Sequence, residues 1–214
     1  FGLVKHEKKP PFFEGNLVQT HYQLLNTLQL SRSEMKNFLA QSFDYLDQLK
    51  KDPSVLRYHI HYPETSRLSF GACRSKNDIV FQLLGLNEAF TQTRWYSDFR
   101  QKNIDAFKKN LRYGHVLING NYSVLFGNPL EMLMQAIGRF HGEGLLEKGS
   151  IHSKRFDYDR ILLGSRSPHV CAGNILLAKN RADKRLDHYF NLTEEIVCIN
   201  SIGENILQRL SGAD

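Results

Sequence analysis

An α+β chain, helical in its first half and mostly β in its second, is what this sequence predicts. Three observations carry that expectation: leucines recurring at helix-face spacing up to Lys51, a long amphipathic run from Arg94 to Arg112, and, beyond Gly114, short apolar runs separated by turn residues. The strands after residue 114 suit a small barrel resting on the helical part, and no internal repeat or low-complexity stretch interrupts either half.

Leu17, His21, Leu24, Leu25 and Leu28 lie three and four residues apart and predict a first helix. Ser31 and Glu34 form a Ser-x-x-Glu capping box that opens a second. On it Met35, Phe38, Leu39, Ser42, Phe43, Leu46 and Leu49 share a stripe, Lys50 and Lys51 suit the C-terminal end of the dipole, and Pro53 follows. A short strand is expected around Arg57 to Tyr62, then a loop through Ser75-Lys76-Asn77 and a short helix from Asp78. From Arg94 to Arg112, Tyr96, Phe99, Asn103, Ile104, Phe107 and Leu111 form one face of a long helix that Gly114 stops. Its other face carries Arg94, Lys102, Lys108, Lys109 and Arg112 against Asp98 and Asp105, either a surface for phosphate or an ordinary solvated face.

In the second half, His115 to Asn119 and Asn121 to Phe126 read as strands around Asn119-Gly120, a hairpin turn pair. Asn128 caps a helix with Pro129 at its first position and Glu131 in its first turn, ending near Gly138. Further strands are expected at Ile151–Phe156, Arg160–Gly164, Asn174–Ala178, Glu195–Ile199 and Asn205–Leu210. The expected division is a helical region over 1–113 and a β region over 114–214.

Composition narrows the function classes. With 41% hydrophobic and 23% charged residues the chain is globular, and 28 Lys and Arg against 22 Asp and Glu give a net charge of +6. Three cysteines without a C-x-x-C pair argue against a disulfide framework or a cysteine-rich zinc site. No apolar run spans a bilayer and no signal-peptide pattern opens the chain, so a soluble protein of the cytoplasm or nucleus is expected. The chain opens at Phe1, its first methionine is Met35, and it closes on Leu210-Ser211-Gly212-Ala213-Asp214, which suggests an excerpt of something longer.

Several residues invite chemistry. His59 and His61, two apart on the expected strand, would share a face and could converge on one metal ion, with Glu64 and Cys73 as possible further ligands for a metal-dependent hydrolase. Cys171 and Cys198 read as buried small hydrophobes. Ser165 and Ser167 lack a Gly-x-Ser-x-Gly elbow. The densest cluster is Leu163-Gly164-Ser165-Arg166-Ser167-Pro168-His169, followed by Gly173-Asn174. Pro168 fixes its own φ and keeps Ser167 extended, so Arg166 would leave the strand on a rigid turn, suited to forked contacts with phosphate or paired hydroxyls. Asp214 follows a turn of small residues that allow close approach, but one carboxylate does not hold a divalent metal.

Taken in order, the Arg166-x-Pro168 turn, the Gly173-Asn174 step, the run of strands and the closing Ser211-Gly212-Ala213-Asp214 resemble the catalytic double-psi β-barrel of multisubunit-type RNA polymerases, and more closely that of cellular RNA-dependent and related single-chain, two-barrel polymerases. Their pattern runs Arg-Asn-Pro, Gly-Asp, then Ser-Gly-Ser-Asp-Leu-Asp-Gly-Asp. Arg166, Pro168 and Gly173 match it, Asn174 replaces the Asp, and the match continues to Asp214. The stretch from Val18 to Leu28 is similar to the helix that joins the two barrels in those enzymes. The resemblance implies connector helices over 1–113 and a partial catalytic barrel over 114–214. It implies Mg²⁺-dependent transfer of nucleotides from nucleoside triphosphates to an RNA 3′ end on a nucleic-acid template. Asp214 would be the first of three metal-binding aspartates, Arg166 would meet ribose hydroxyls, Pro168 would shape the turn, and Ser165 stands where the multisubunit enzymes have Asn. Lys154, Arg155, Lys179, Arg181, Lys184 and Arg185 would add positive charge near this site for template and product. A segment ending at the first aspartate would be inactive by itself. A non-catalytic nucleic-acid-binding module using the 94–112 helix and the basic loops is the second reading, and the His59–His61 hydrolase the third.

Overall fold

The computed structural model describes residues 17–61, 75–169 and 172–211, without the side chains of His61, Leu207 and Ser211. These residues are 51% helical and 16% strand, a mixed α and β fold. They divide into two compact units: residues 17–25 with 29–120, and residues 26–28 with 121–211.

The first unit is built from β1 (Leu17–Gln19), α1 (Tyr22–Thr27, whose last residues belong to the other unit), α2 (Arg32–Lys51), α3 (Pro53–His61), α4 (Lys76–Leu86), a 3-10 turn (Glu88–Gln92), α5 (Arg94–Arg112) and β2 (Leu117–Asn119). The expected capping box is present: Ser31 Oγ accepts from Glu34 N–H and Glu34 Oε2 accepts from Ser31 N–H at 2.8 Å. A second box, Ser75 with Asp78, starts α4 within the stretch expected to be a loop. Tyr45, Leu46, Leu49, Leu56, Ile60, Val80, Tyr96, Ile104, Phe107 and Leu117 form the core.

Three expectations fail in this unit. Leu17 lies on a strand rather than a helix, and β1 pairs antiparallel with β2, Leu17 opposite Asn119. Arg57 to His61 belong to α3 and not to a strand. Pro53 occupies the first helical position, Asp52 Oδ1 accepts from Ser54 N–H at 2.8 Å, and Leu56 and Ile60 enter the core four residues apart. Those three influences outweigh the β propensity of the tyrosine and isoleucine in the run. On α2, Tyr45 faces the core while Phe43 is exposed.

Ser42, polar on an apolar stripe, has a structural role: its Oγ accepts from the buried Leu117 N–H at 2.9 Å and so ties β2 to α2. Thr20 does the same beside β1. It accepts from Val116 N–H at 2.9 Å and donates to Gly114 O at 2.8 Å. Gly114 ends α5 at φ +83°, where a Cβ would meet the Tyr22 backbone at 3.2 Å.

The second unit holds a curled, half-barrel sheet of five strands: β3 (Val124–Gly127), β4 (Ser150–His152), β5 (Ile161–Ser165), β6 (Ile175–Asn180) and β7 (Ile196–Ile199), in the order β3-β7-β4-β6-β5. β3 runs parallel to β7 and β4 parallel to β6, while β4–β7 and β5–β6 are antiparallel. β2 and β3 therefore do not form the hairpin expected at Asn119-Gly120, because each finds a distant partner. α6 (Pro129–Ala136) begins at Asn128 as expected. α7 (Lys184–Tyr189), capped by Asp183, puts Lys184 and Arg185 on a helix rather than in a loop.

Residues 206–211 form α8 (Ile206–Ser211), not a strand. Ile206 and Leu210, four apart, pack with Ile151, Leu176, Ala178 and Ile199 on one face of the sheet. Cys198, adjacent to Ile199 and so directed to the other face, packs with Leu130, Leu146 and Leu186 of a second core. On the β5–β6 edge that second face is exposed, at Ile161, Leu163 and Leu177.

Candidate functional site

The turn that carries Ser165, Arg166 and Pro168 sits at the end of β5. All three residues are exposed, and the Ser167–Pro168 peptide is cis. Ser165 lies opposite Ile175, the first residue of β6, and a 3-10 turn over Ala172–Asn174 leads into that strand. Arg209 of α8 closes on the same place. Its Nε donates to Gly173 O at 3.2 Å and its Nη2 to Ile175 O at 2.9 Å, while Asn174 Nδ2 donates back to Arg209 O at 3.1 Å. Gly164 of the edge strand faces Leu176 and, on α8, Leu210, each at ordinary contact distance from where a Cβ would lie. The Ser165–Pro168 turn and the Gly173-Asn174 step, neighbours in the chain, thus share one end of the sheet with the more distant helix that leads toward Asp214. Asp214 itself, the expected metal ligand, lies outside the described residues, as does Cys171.

Arg209 was not singled out from the sequence, because residues 205–210 read as a strand. The four-residue spacing of Ile206 and Leu210 fits a helix, but a run this short does not decide between helix and strand.

The six basic residues expected to line a nucleic-acid path are mostly engaged by acids. Lys154 Nζ lies 3.1 Å from Asp187 Oδ1, Arg155 Nη1 2.9 Å from Glu194 Oε2 and Lys179 Nζ 3.4 Å from Asp159 Oδ1. Arg181 bridges Glu147, at 2.6 Å, and Asp159. Arg185 Nη2 meets Asp183 Oδ2 at 2.8 Å. Lys184 has no acidic partner among the described residues. The hydrogen bonds from Arg181 and Lys179 lead in holding the Asp159 carboxyl below its ordinary range. For Asp183, burial pushes the carboxyl up, but hydrogen bonds from Arg185 and from the α7 backbone outweigh it and leave it lowered.

The loop bearing Lys154 and Arg155 is pinned by two buried side chains that the sequence did not announce. Asn180 Oδ1 accepts from Ser153 N–H at 2.9 Å, and its Nδ2 donates to Ser153 O at 2.9 Å, Phe156 O at 2.8 Å and Asp157 O at 3.2 Å. His152, 1% exposed, donates from Nδ1 to Arg181 O at 2.9 Å and turns Nε2 toward Asp187 Oδ1 at 3.6 Å, with the Tyr158 ring stacked on it. The lysine, the imidazole and the carboxylate together hold the loop against α7.

The proposed metal histidines lose their geometric basis. On helix α3, positions 59 and 61 do not share a face as they would on a strand. His59 instead meets the Tyr45 hydroxyl through Nδ1 at 2.8 Å, and burial lowers its pKa. Glu64 and Cys73 lie outside the described residues. No group of three or more His, Cys, Asp and Glu gathers for a metal ion among the described residues. Cys198 is fully buried as expected, its thiol pushed up to about 12 by burial, with Glu131 and Asp183 adding to the shift. No helix among the described residues is long and apolar enough to cross a membrane.

Compared with protein-family models, curated proteins and solved structures, the chain matches none.

Proposed function

We propose that this chain forms part of the catalytic region of a single-chain, two-barrel RNA polymerase, its half-barrel belonging to a double-psi barrel. The observation that carries the reading is the Arg209 clasp, which joins the approach to Asp214 to the Gly173-Asn174 step directly across from Ser165 and the Arg166 turn. The exposed apolar positions Ile161, Leu163 and Leu177 also suit an open sheet whose second face is covered in a larger barrel. In this role the Arg166 guanidinium would fork onto the ribose hydroxyls of a nucleotide, and Pro168 and the clasp would keep that turn in place.

The described residues provide no Mg²⁺ donor set, so the proposal assigns the metal one ligand from this chain, Asp214, within a set that other carboxylates complete. Bound there, the metal would supply charge neutralisation for phosphoryl transfer.

The test is Mg²⁺-dependent incorporation of labelled nucleoside triphosphates into RNA by the protein at its natural length. Asp214→Asn is expected to abolish incorporation. Arg166→Ala should raise the KM for nucleotide about tenfold or more, as loss of a charge-assisted hydrogen bond of ~1.5–3 kcal/mol requires, and Arg166→Lys should rescue only in part. Absence of incorporation, or an Asp214→Asn variant as active as the parent, refutes the reading.

A further inference from the structure

The first unit keeps its net charge on one helix. Its described residues hold twelve Lys and Arg against eight Asp and Glu; α5 alone has six against two, which leaves the rest balanced at six against six. Helical spacing then separates the exposed side of α5 into two stripes. Along 94, 98, 101, 105, 108 and 112, both acids of the helix are engaged: Arg94 lies 4.0 Å from Asp98, Lys108 3.6 Å from Asp105, and the neutral Gln101 donates from Nε2 to Asp105 at 3.0 Å, with Arg112 at the end of the stripe. Along 95, 99, 102, 106, 109 and 113 the residues are Trp, Phe, Lys, Ala, Lys and Tyr, with no acid.

This second stripe has an unusual composition for a solvated face. Lys102 and Lys109 are exposed and have no carboxylate within salt-bridge distance among the described residues. Trp95 at one end is 44% exposed and Tyr113 at the other 61%. Neither aromatic stands loose. Trp95 stacks on Phe99, with centroids 6.2 Å apart and planes at 28°, and meets Phe90 at 5.6 Å, while Lys109 Nζ sits 5.9 Å from the Tyr113 ring centroid. At 1.5 Å per residue the two rings lie ~27 Å apart along the helix.

We propose that this stripe binds single-stranded nucleic acid, with bases stacking on Trp95 and Tyr113 and phosphates meeting Lys102 and Lys109 between them. Unpaired lysines attract a polyanion by releasing its counterions, and held, exposed rings offer platforms to bases of any sequence. A partner helix would want an apolar seam, but the middle of this stripe is Lys102, Ala106 and Lys109. A membrane surface would want the apolar face of α5, and Tyr96, Ile104 and Phe107 already bury that face in the core. The proposal is independent of the polymerase reading, because α5 lies in the other unit and its test does not involve catalysis.

Trp95 is the chain's single tryptophan, so its emission reports on the site directly. Titrating the 214-residue chain with a short single-stranded RNA of mixed sequence should quench Trp95. The Lys102→Gln/Lys109→Gln double variant should weaken binding and lower the slope of log affinity against log salt by about 1.4, two phosphate contacts at ~0.7 each. Tyr113→Ala should cost about 5- to 150-fold in affinity, and Arg94→Gln on the neighbouring stripe should bind much as the parent does. Both lysines are exposed, so folding of the double variant, checked by circular dichroism, is expected to be intact. An unquenched Trp95 in the presence of bound RNA, an unchanged salt slope in the double variant, or equal affinity for inorganic polyphosphate or acidic lipid vesicles overturns the proposal.

Discussion

Replacing Asn180 by alanine removes the pin of the 153–157 loop, and its cost can be worked from the contacts. Asn180 is fully buried; its side-chain amide accepts one hydrogen bond and shares its two N–H groups among three carbonyl oxygens of that loop. The Ser153 N–H, fully buried, would lose the one acceptor it has among the described residues and carry the full penalty of an unsatisfied buried donor, ~1–3 kcal/mol. The carbonyls of Ser153, Phe156 and Asp157 keep a second lone pair and, for the latter two, partial access to water, so their combined loss adds about 1 kcal/mol. A total near ~3 kcal/mol corresponds to a roughly 100-fold rise in opening of the loop. Hydrogen exchange at the Ser153 amide reads that opening directly, and urea denaturation reads the global part.

Asn180→Asp sharpens the test. A carboxylate there would face three carbonyl oxygens, so its folded pKa must rise above the unfolded value of about 3.9. The folded state then binds the extra proton, and this variant should lose stability as pH rises from about 4 through its folded pKa, whereas the alanine variant should show a cost independent of pH. If Asn180→Ala costs under ~0.5 kcal/mol and Ser153 exchanges no faster, the assignment of Asn180 as the pin is wrong.

Two further outcomes follow from the buried titratable groups. Burial lowers the His59 pKa, so between its folded value and the unfolded value of about 6.5 the unfolded chain binds more protons. Stability from this group is complete above about pH 6.5 and falls as pH drops, and His59→Gln should flatten that part of a melting-temperature profile; a slope unchanged by the substitution refutes it. Cys198, with its thiol near 12, should alkylate at pH 8 at least ~10³-fold more slowly in the folded chain than in urea, read by mass spectrometry on the Cys198 peptide; equal rates would place the thiol outside the core.

Local chemistry was legible wherever it was strong and self-contained. The Ser31–Glu34 box, the Arg94–Arg112 helix with its Gly114 stop, and the Asn128-Pro129 start all form as read, because capping and 3.6-residue periodicity are decided within a few residues. The same chemistry was present but underweighted at α3, where Asp52 and Pro53 start a helix through residues with high strand propensity. At α8 the run Asn205–Leu210 was too short for periodicity to choose, and burial of Ile206 and Leu210 against the sheet decided it. For the candidate site, the Ser165–Pro168 turn and Gly173-Asn174 were visible as a cluster, whereas Arg209 was not, since its partners are backbone carbonyls that carry no residue identity.

By itself, then, the sequence determined an α+β chain, where α2, α5 and α6 begin, and which residues stand on the two sides of α5. Strand partners came only from the tertiary structure. β2 pairs with β1 from the far end of its unit and β3 pairs with β7, against a local Asn119-Gly120 hairpin signal, because a strand of three or four residues gains more from a buried distant partner than from a favourable turn. The tertiary structure also decided which charges are available. Lys154, Arg155, Lys179, Arg181 and Arg185 were alike in sequence with Lys102 and Lys109, yet the first four meet acids brought from other elements, Arg185 meets the cap of its own helix, and Lys102 and Lys109 point from a stripe that no acid shares. Charge is written in the residue, but whether it is neutralised depends on what the fold places within a few ångströms of it.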